Sequence, residues 1–116
     1  MSELCPSREI HVDVDKYRLI AKEVSGLSDL FKVIADETRT KIVFLLSETE
    51  LCTCDLAEIL RLSLPTISHH LKQLKSYRLV KSRREGKSVF NSLEDFHVVE
   101  LIKLAREHFQ GLSEGD

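Results

Sequence analysis

The sequence predicts a mainly α fold of the winged helix-turn-helix type, with helices and a two-stranded β-wing. Three observations carry this expectation. Two apolar-periodic segments, ending near 60 and running over 64–76, are joined by a link of three to four residues, the spacing of a helix-turn-helix. Directly after them, Leu79-Val80 and Val89-Phe90 alternate with polar residues on either side of RREGK, the pattern of a β-hairpin. Basic side chains concentrate on the same stretch. Residues 61–90 hold eight (Arg61, Lys72, Lys75, Arg78, Lys81, Arg83, Arg84 and Lys87) against the single acid Glu85, a local charge of +7. The rest of the chain carries 9 basic and 18 acidic groups, so the net charge of −2 hides a basic stripe on an acidic body. That segregation is the footprint of a polyanion-binding surface. The plain alternative is a solvated basic face.

Length bounds the architecture. A chain of 116 residues makes one domain, expected over 14–112, with a flexible arm at 1–13 and a short tail at 113–116. Apolar residues at 42% and charged residues at 31% argue against wholesale disorder. No apolar run approaches the ~18 residues of a bilayer span, so no membrane partner is expected. The opening MSELCPSREI has no apolar h-region and does not read as a secretory signal. Three cysteines, two of them spaced CxC, make a poor disulfide framework, so the reducing cytoplasm is the expected compartment. No strand–CxxC–helix context and no nucleophile–base pair is evident, which points to a binding module rather than an enzyme.

The elements follow in order. A helix is expected near 14–24. Leu27, Leu30, Phe31, Ile34 and Ala35 then form one apolar face of a second helix, interrupted at Asp36 and Thr38. Ile42, Val43, Leu45 and Leu46 give the core side of a helix at 37–47. After the polar turn Glu48-Thr49-Glu50, Thr53 or Asp55 is the expected cap of a short helix to Leu60, with Leu56, Ile59 and Leu60 inward. Arg61 and Leu62 make the link. Ser63 is the N-cap of the next helix, Pro65 sits harmlessly in its first turn, and Ile67, Leu71 and Leu74 are its buried side. In the hairpin, Gly86 supplies the residue tolerant of positive φ, and Arg83, Arg84 and Lys87 are expected at the tip. A last helix over 93–111 carries one stripe of Val98, Ile102, Ala105 and Phe109, with Leu101, Leu104 and Leu112 beside it. A face that wide exceeds what one small domain needs, and predicts a homodimer through the terminal helices.

The N-terminal half of helix 64–76 is the part that enters a major groove. Ser63, Thr66, Ser68, His69 and His70 are therefore the candidates for base or phosphate contact. Lys72, Lys75 and the wing residues Arg83, Arg84 and Lys87 suit phosphate contacts that set register without reading sequence. His69 and His70 point about 100° apart on a helix, so an inward-packing role for one of them stays open.

ELCTCDLAEIL, SLPTISHHLKQLKSYRLV and RREGKSVFNSL together resemble the ArsR/SmtB metal-sensing transcriptional repressors, and FKVIADETRTKIVFLL resembles the family's helix before the helix-turn-helix. The resemblance covers about residues 25–112. It implies a homodimeric winged-helix repressor that sits on double-stranded operator DNA and leaves when metal binds, derepressing metal-resistance or efflux genes. The subgroup it resembles most is that of the cadmium/lead sensors, which share the ELCxCDL box and an additional N-terminal cysteine.

Two metal sites are then candidates. The first is Cys52 and Cys54 with Cys5. On a regular helix residues i and i+2 lie about 200° apart, but at a helix start the backbone is still extended and both thiols converge. The helix N-terminus also favours the thiolate. Two thiolates underfill a soft ion, so Cys5 is needed, from the arm of the other subunit. Three sulfurs suit Cd(II), Pb(II), Zn(II) or As(III), and exclude Mg and Ca. Arsenic sensors of the family often carry a third box cysteine where Ala57 stands here, which tilts the expectation away from As(III), but Cys5 can replace it, so an As(III)/Sb(III)-responsive repressor using the same cysteines is the alternative. The cadmium/lead sensors carry a second N-terminal cysteine that is missing here, leaving His11, Asp13 or water as a fourth ligand. Without metal, the cysteines are either buried apolar residues or a thiol-redox pair that closes a Cys52–Cys54 disulfide. The second candidate is Asp95, His97 and His108. The two histidines lie on one helix face to within about 20° but about 16 Å apart along the axis, so they share an ion only across a two-fold with the mate helix. This resembles the family's zinc site, but its last ligand aligns with Gly111, leaving Glu107, Glu114 or water. The alternative is a pair of surface histidines that bind nothing.

Overall fold

The computed structural model describes residues 12–114 of the chain. In order these form α1 (Val14–Glu23), α2 (Leu27–Ala35), α3 (Glu37–Glu48), β1 (Leu51–Cys52), α4 (Thr53–Leu60), α5 (Leu64–Ser76), β2 (Val80–Glu85), β3 (Ser88–Leu93) and α6 (Phe96–Glu114). The winged helix-turn-helix is α4, α5 and the β2–β3 hairpin.

The turn between α4 and α5 is set by its caps. Arg61 ends α4 in the left-handed region at φ 58°, a conformation that bends the chain at the price of some strain for a residue with a Cβ. Ser63 starts α5, its Oγ accepting from the Thr66 backbone N–H at 3.3 Å, as the sequence predicts. Ile67, Leu71 and Leu74 then turn inward together and join Ile42, Val43 and Leu46 of α3 and Leu56 of α4 in one core. The cap of α4 differs from expectation. The capping position is Cys52, while Thr53 is already helical and spends its hydroxyl on the neighbouring strand. Ile59 also differs. It is 50% exposed, while Leu56 is fully buried and Leu60 packs against the core.

The wing has three strands where the sequence predicts two. Their order is β1-β3-β2, all antiparallel, with Leu51 opposite Asn91 and Cys52 opposite Phe90 on one side of β3, and Val80 opposite Leu93 through Glu85 opposite Ser88 on the other. A strand of two residues is too short to show a period, and only its partner reveals it. The hairpin turns at Gly86, whose φ of 63° suits the residue. Leu93 belongs to β3, so the last helix begins at Phe96 instead of 93. Asp95 caps it, its Oδ1 accepting from the Val98 N–H at 3.1 Å.

The terminal helices leave much of their apolar surface outside. On α6 the expected stripe divides: Val98 and Ile102 are buried in the core, while Phe109 is exposed with Leu101, Leu104 and Leu112. Arg106 pairs with Glu48 and ties α6 to α3. α1 has no buried residue, and its Tyr17, Leu19 and Ile20 are all exposed. No described helix is long and apolar enough to cross a membrane.

Candidate metal box and DNA-binding face

The boundary between β1 and α4 falls between the two cysteines of the box. Cys52 is extended, at φ −79° and ψ 164°, while Cys54 lies in the first turn of α4 and is exposed. Both thiols are free. They line a hollow of about 400 Å³ between the start of α4, helix α5 and the hairpin turn, shared with Ser68, Lys75 and Lys87 among others. As donors the pair suits a soft ion but supplies only part of its shell. Among the described residues no three His, Cys, Asp or Glu side chains gather into a metal cluster within one chain. Cys5, the expected third thiolate, lies outside the described residues, as does His11. Asp13 caps α1, accepting from the Lys16 N–H at 3.1 Å.

The second candidate set is brought together in part. His97 Nδ1 sits 3.2 Å from Asp95 Oδ1, so those two are neighbours in one chain, with the His97 ring 85% exposed. His108 lies three turns further along α6, also exposed, and does not meet them within the chain. Asp95 already serves as the cap of α6, which is a sufficient structural reason for a carboxylate there.

On α5, Ser63, Thr66, Ser68, His69 and Lys72 all face solvent. Ser63 and Thr66 are linked by a hydroxyl–hydroxyl hydrogen bond of 2.8 Å. His70 takes the inward alternative. Its side chain is only 16% exposed, with Nδ1 at 3.3 Å from an Arg39 guanidinium nitrogen and 3.8 Å from the Asp36 carboxylate. Arg39 in turn donates from Nε to the Val33 carbonyl at 2.7 Å, so one guanidinium holds the end of α2, the start of α3 and helix α5 together. On the wing, Arg84 and Lys87 are exposed. Arg83 is not a free tip residue. It is paired with Glu50 at 2.6 Å and Glu85 at 3.3 Å and lies over the Phe90 ring.

Asp36 is the start of this cluster and the cap of α3. The backbone N–H of Arg39 donates to its carboxylate at 3.1 Å, and this bond holds the Asp36 pKa below its ordinary value, aided by the charges of Arg39 and His70. A carboxylate with a folded pKa below its unfolded value stabilises the fold above the unfolded pKa, and the gain fades as pH falls through the folded one. Asp36→Asn keeps a capping side chain without the charge. It should be less stable than the wild type at pH 5, with the gap in urea midpoint narrowing as pH falls below the ordinary carboxylate pKa of about 3.9. A gap that stays constant over that range would show that the charge of Asp36 does not matter.

Sequence reasoning passes over three residues of this region: Arg39, Glu50 and Asn91. Of these only Asn91 leaves a local signal, since counting back by two from Leu93 places it on the inner face of β3.

Residues 36–82 match the family described as bacterial regulatory protein, arsR family. A cadmium resistance transcriptional regulatory protein CadC homolog of Staphylococcus aureus is 41% identical over 110 residues, covering 91% of this chain and 91% of its own. The chain belongs to the ArsR family. It is by family a DNA-binding transcriptional regulator and not an enzyme. A transcriptional repressor SmtB homolog of Synechocystis is 36% identical, with 92% of this chain and 84% of its own length covered. Among solved structures, the homodimeric winged helix-turn-helix DNA-binding domain Mb0332 of Mycobacterium bovis superposes with a TM-score of 0.73 at 28% identity, over 81% of this chain and 87% of that one. The ArsR match spans the helix-turn-helix and the start of the wing. It stops short of α6 and therefore of Asp95, His97 and His108.

Proposed function

We propose that this chain is a metal-responsive repressor that binds operator DNA as a homodimer and is released when a soft ion, Cd(II), Pb(II) or Zn(II), binds its cysteine thiolates, derepressing metal-resistance or efflux genes. The observation that carries the reading is the placement of Cys52 on an extended residue and Cys54 on the first helical turn, beside a hollow bordered by the recognition helix and the wing. The relative named for cadmium resistance supports the choice of effector class. Cys5, on an arm spanning 1–13, completes the thiolate set from the second subunit of a core that spans 14–112, and α6 carries the chain on to Glu114. As(III) is the weaker choice because Ala57 occupies the position of a third box cysteine. A second site forms where α6 meets its antiparallel mate and His108 reaches the mate's Asp95–His97 pair.

In this reading Ser63, Thr66, Ser68 and His69 meet base edges or phosphates, and Lys72, Arg84 and Lys87 meet phosphate. Arg83 and His70 act behind that surface. The exposed apolar residues of α6 and α1 form the two-fold contact that spaces the recognition helices, so a metal bond at either site favours a dimer whose spacing no longer fits one DNA turn. Linkage requires DNA to weaken metal binding by the same factor. Thiol deprotonation releases protons, so metal affinity rises with pH.

The test is a Cd(II) titration of the reduced full chain on a labelled duplex selected by the metal-free protein from a random pool. Thiolate-to-metal absorption from about three sulfurs per ion, lost in Cys5→Ser and in Cys52→Ser, is expected together with DNA release. Release by Zn(II) that is abolished by His97→Ala, without a thiolate band, would move sensing to α6. Release on oxidation alone, with a Cys52–Cys54 disulfide, would replace metal by thiol redox.

A further inference from the structure

We infer that Asn91 is a positioning residue which, together with the Glu50–Arg83 ion pair, makes the wing move as one body with the cysteine box, so that the state of the box is read out as the position of the wing on DNA. The inference rests on the metal reading of Cys52 and Cys54 and names how that site is coupled to its output. Its basis is that Cys52 is itself part of the wing sheet. The residues on both sides of it are fastened to the hairpin.

Asn91 is fully buried in β3. Its amide nitrogen donates to the Leu51 carbonyl at 3.1 Å and to the Thr53 hydroxyl at 3.2 Å, while its amide oxygen accepts from the Ser82 hydroxyl at 2.7 Å. The orientation of the amide is fixed by chemistry, because a backbone carbonyl only accepts and the nitrogen must face it. One side chain thus joins the residue before Cys52, the residue after it, and the far strand of the hairpin. Glu50 adds a second tie by its 2.6 Å pair with Arg83, which lies over Phe90, the residue opposite Cys52 in register. The hairpin's other backbone anchors lie at its base, where the Leu79 N–H donates to Leu74 and the Glu94 N–H to Leu79. A hairpin held at its base and gripped at mid-height by β1 tilts when β1 is displaced. The exposed Arg84 and Lys87 ride on its far half. A buried amide whose partners come from two strands and a helix is costly to leave half-satisfied, so the group transmits displacement instead of absorbing it.

The test compares wild type with Glu50→Gln and Asn91→Ala. Glu50→Gln changes an exposed pair and keeps the fold, and so covers the case in which Asn91→Ala does not fold. Three quantities are read on the full chain: Cd(II) affinity, the ratio of duplex affinities without and with Cd(II), and Cd(II)-induced shifts of the amide resonances of residues 82–89. In wild type the ratio should fall in the range of roughly 5- to 150-fold, with shifts along the wing. In each folded variant Cd(II) affinity should stay within about threefold while the ratio drops to a few-fold and the wing shifts shrink. Full coupling in both variants, or wild-type wing amides that ignore Cd(II) bound at the box, would overturn the inference. If no thiolate band forms, the metal reading fails, and methylmercury on the box thiols then decides the coupling: wing shifts in wild type that are lost in Glu50→Gln uphold it, and their absence in wild type removes it.

Discussion

Cys54→Ser should lower Cd(II) affinity by about a hundredfold while leaving the fold intact. A structural site of thiolate and imidazole ligands is worth about 10–16 kcal/mol, so one ligand of three or four contributes about 3 kcal/mol. That converts to about two decades in Kd. Cys54 is exposed and lies outside the buried core, so the metal-free variant should unfold within about 0.5 kcal/mol of wild type. Competition with a chelator of known affinity reads the first quantity and urea unfolding the second. Affinity within threefold of wild type would show that Cys54 is not a ligand. The same substitution at Cys52 is a less clean experiment, because that residue also pairs with Phe90 in the sheet.

Leu74→Ala should destabilise the chain by about 3 kcal/mol, a large part of the whole stability of a domain this size. Leu74 is fully buried at the far end of α5. Its carbonyl also accepts from the Leu79 N–H at 3.1 Å, where the recognition helix hands over to the wing. The cavity therefore opens beneath the joint of the two elements proposed to meet DNA, and duplex binding should weaken alongside stability. Leu104→Ala provides the contrast. Leu104 is 60% exposed, so its truncation should leave the core unaffected and act on self-association. An unfolding free energy for Leu74→Ala within about 1 kcal/mol of wild type would contradict the placement of this side chain.

The parts legible in the sequence are those written in local chemistry. Ser63, Pro65 and the Ile67–Leu71–Leu74 spacing define α5 to both of its ends, and Gly86 marks the turn of the wing. What escapes is written in distant pairs. β1 exists only because Leu51 and Cys52 find Asn91 and Phe90 some forty residues on. Arg83 reads as a free cation until its partner Glu50, 33 positions earlier, is seen. His70 is polar and lies among polar neighbours, so only the positions of Asp36 and Arg39 decide that it turns inward. The soft-metal role proposed for Cys52 and Cys54 starts from such a local spacing, whereas the proposed third sulfur, Cys5, stands far away in the sequence.

α1 buries none of its own side chains, and at ten residues it falls below the length at which a helix persists unaided in water. Under the two-fold assembly proposed above, its order is bought by the second copy, and monomer and dimer differ in folding as well as in mass. Mass action then enters the switch. Dilution would empty the operator in the same direction as metal, so the amount of repressor in the cell sets how much metal is needed to lift repression. A promoter that controlled this chain's own synthesis would, through that dependence, adjust the threshold of the response along with its strength.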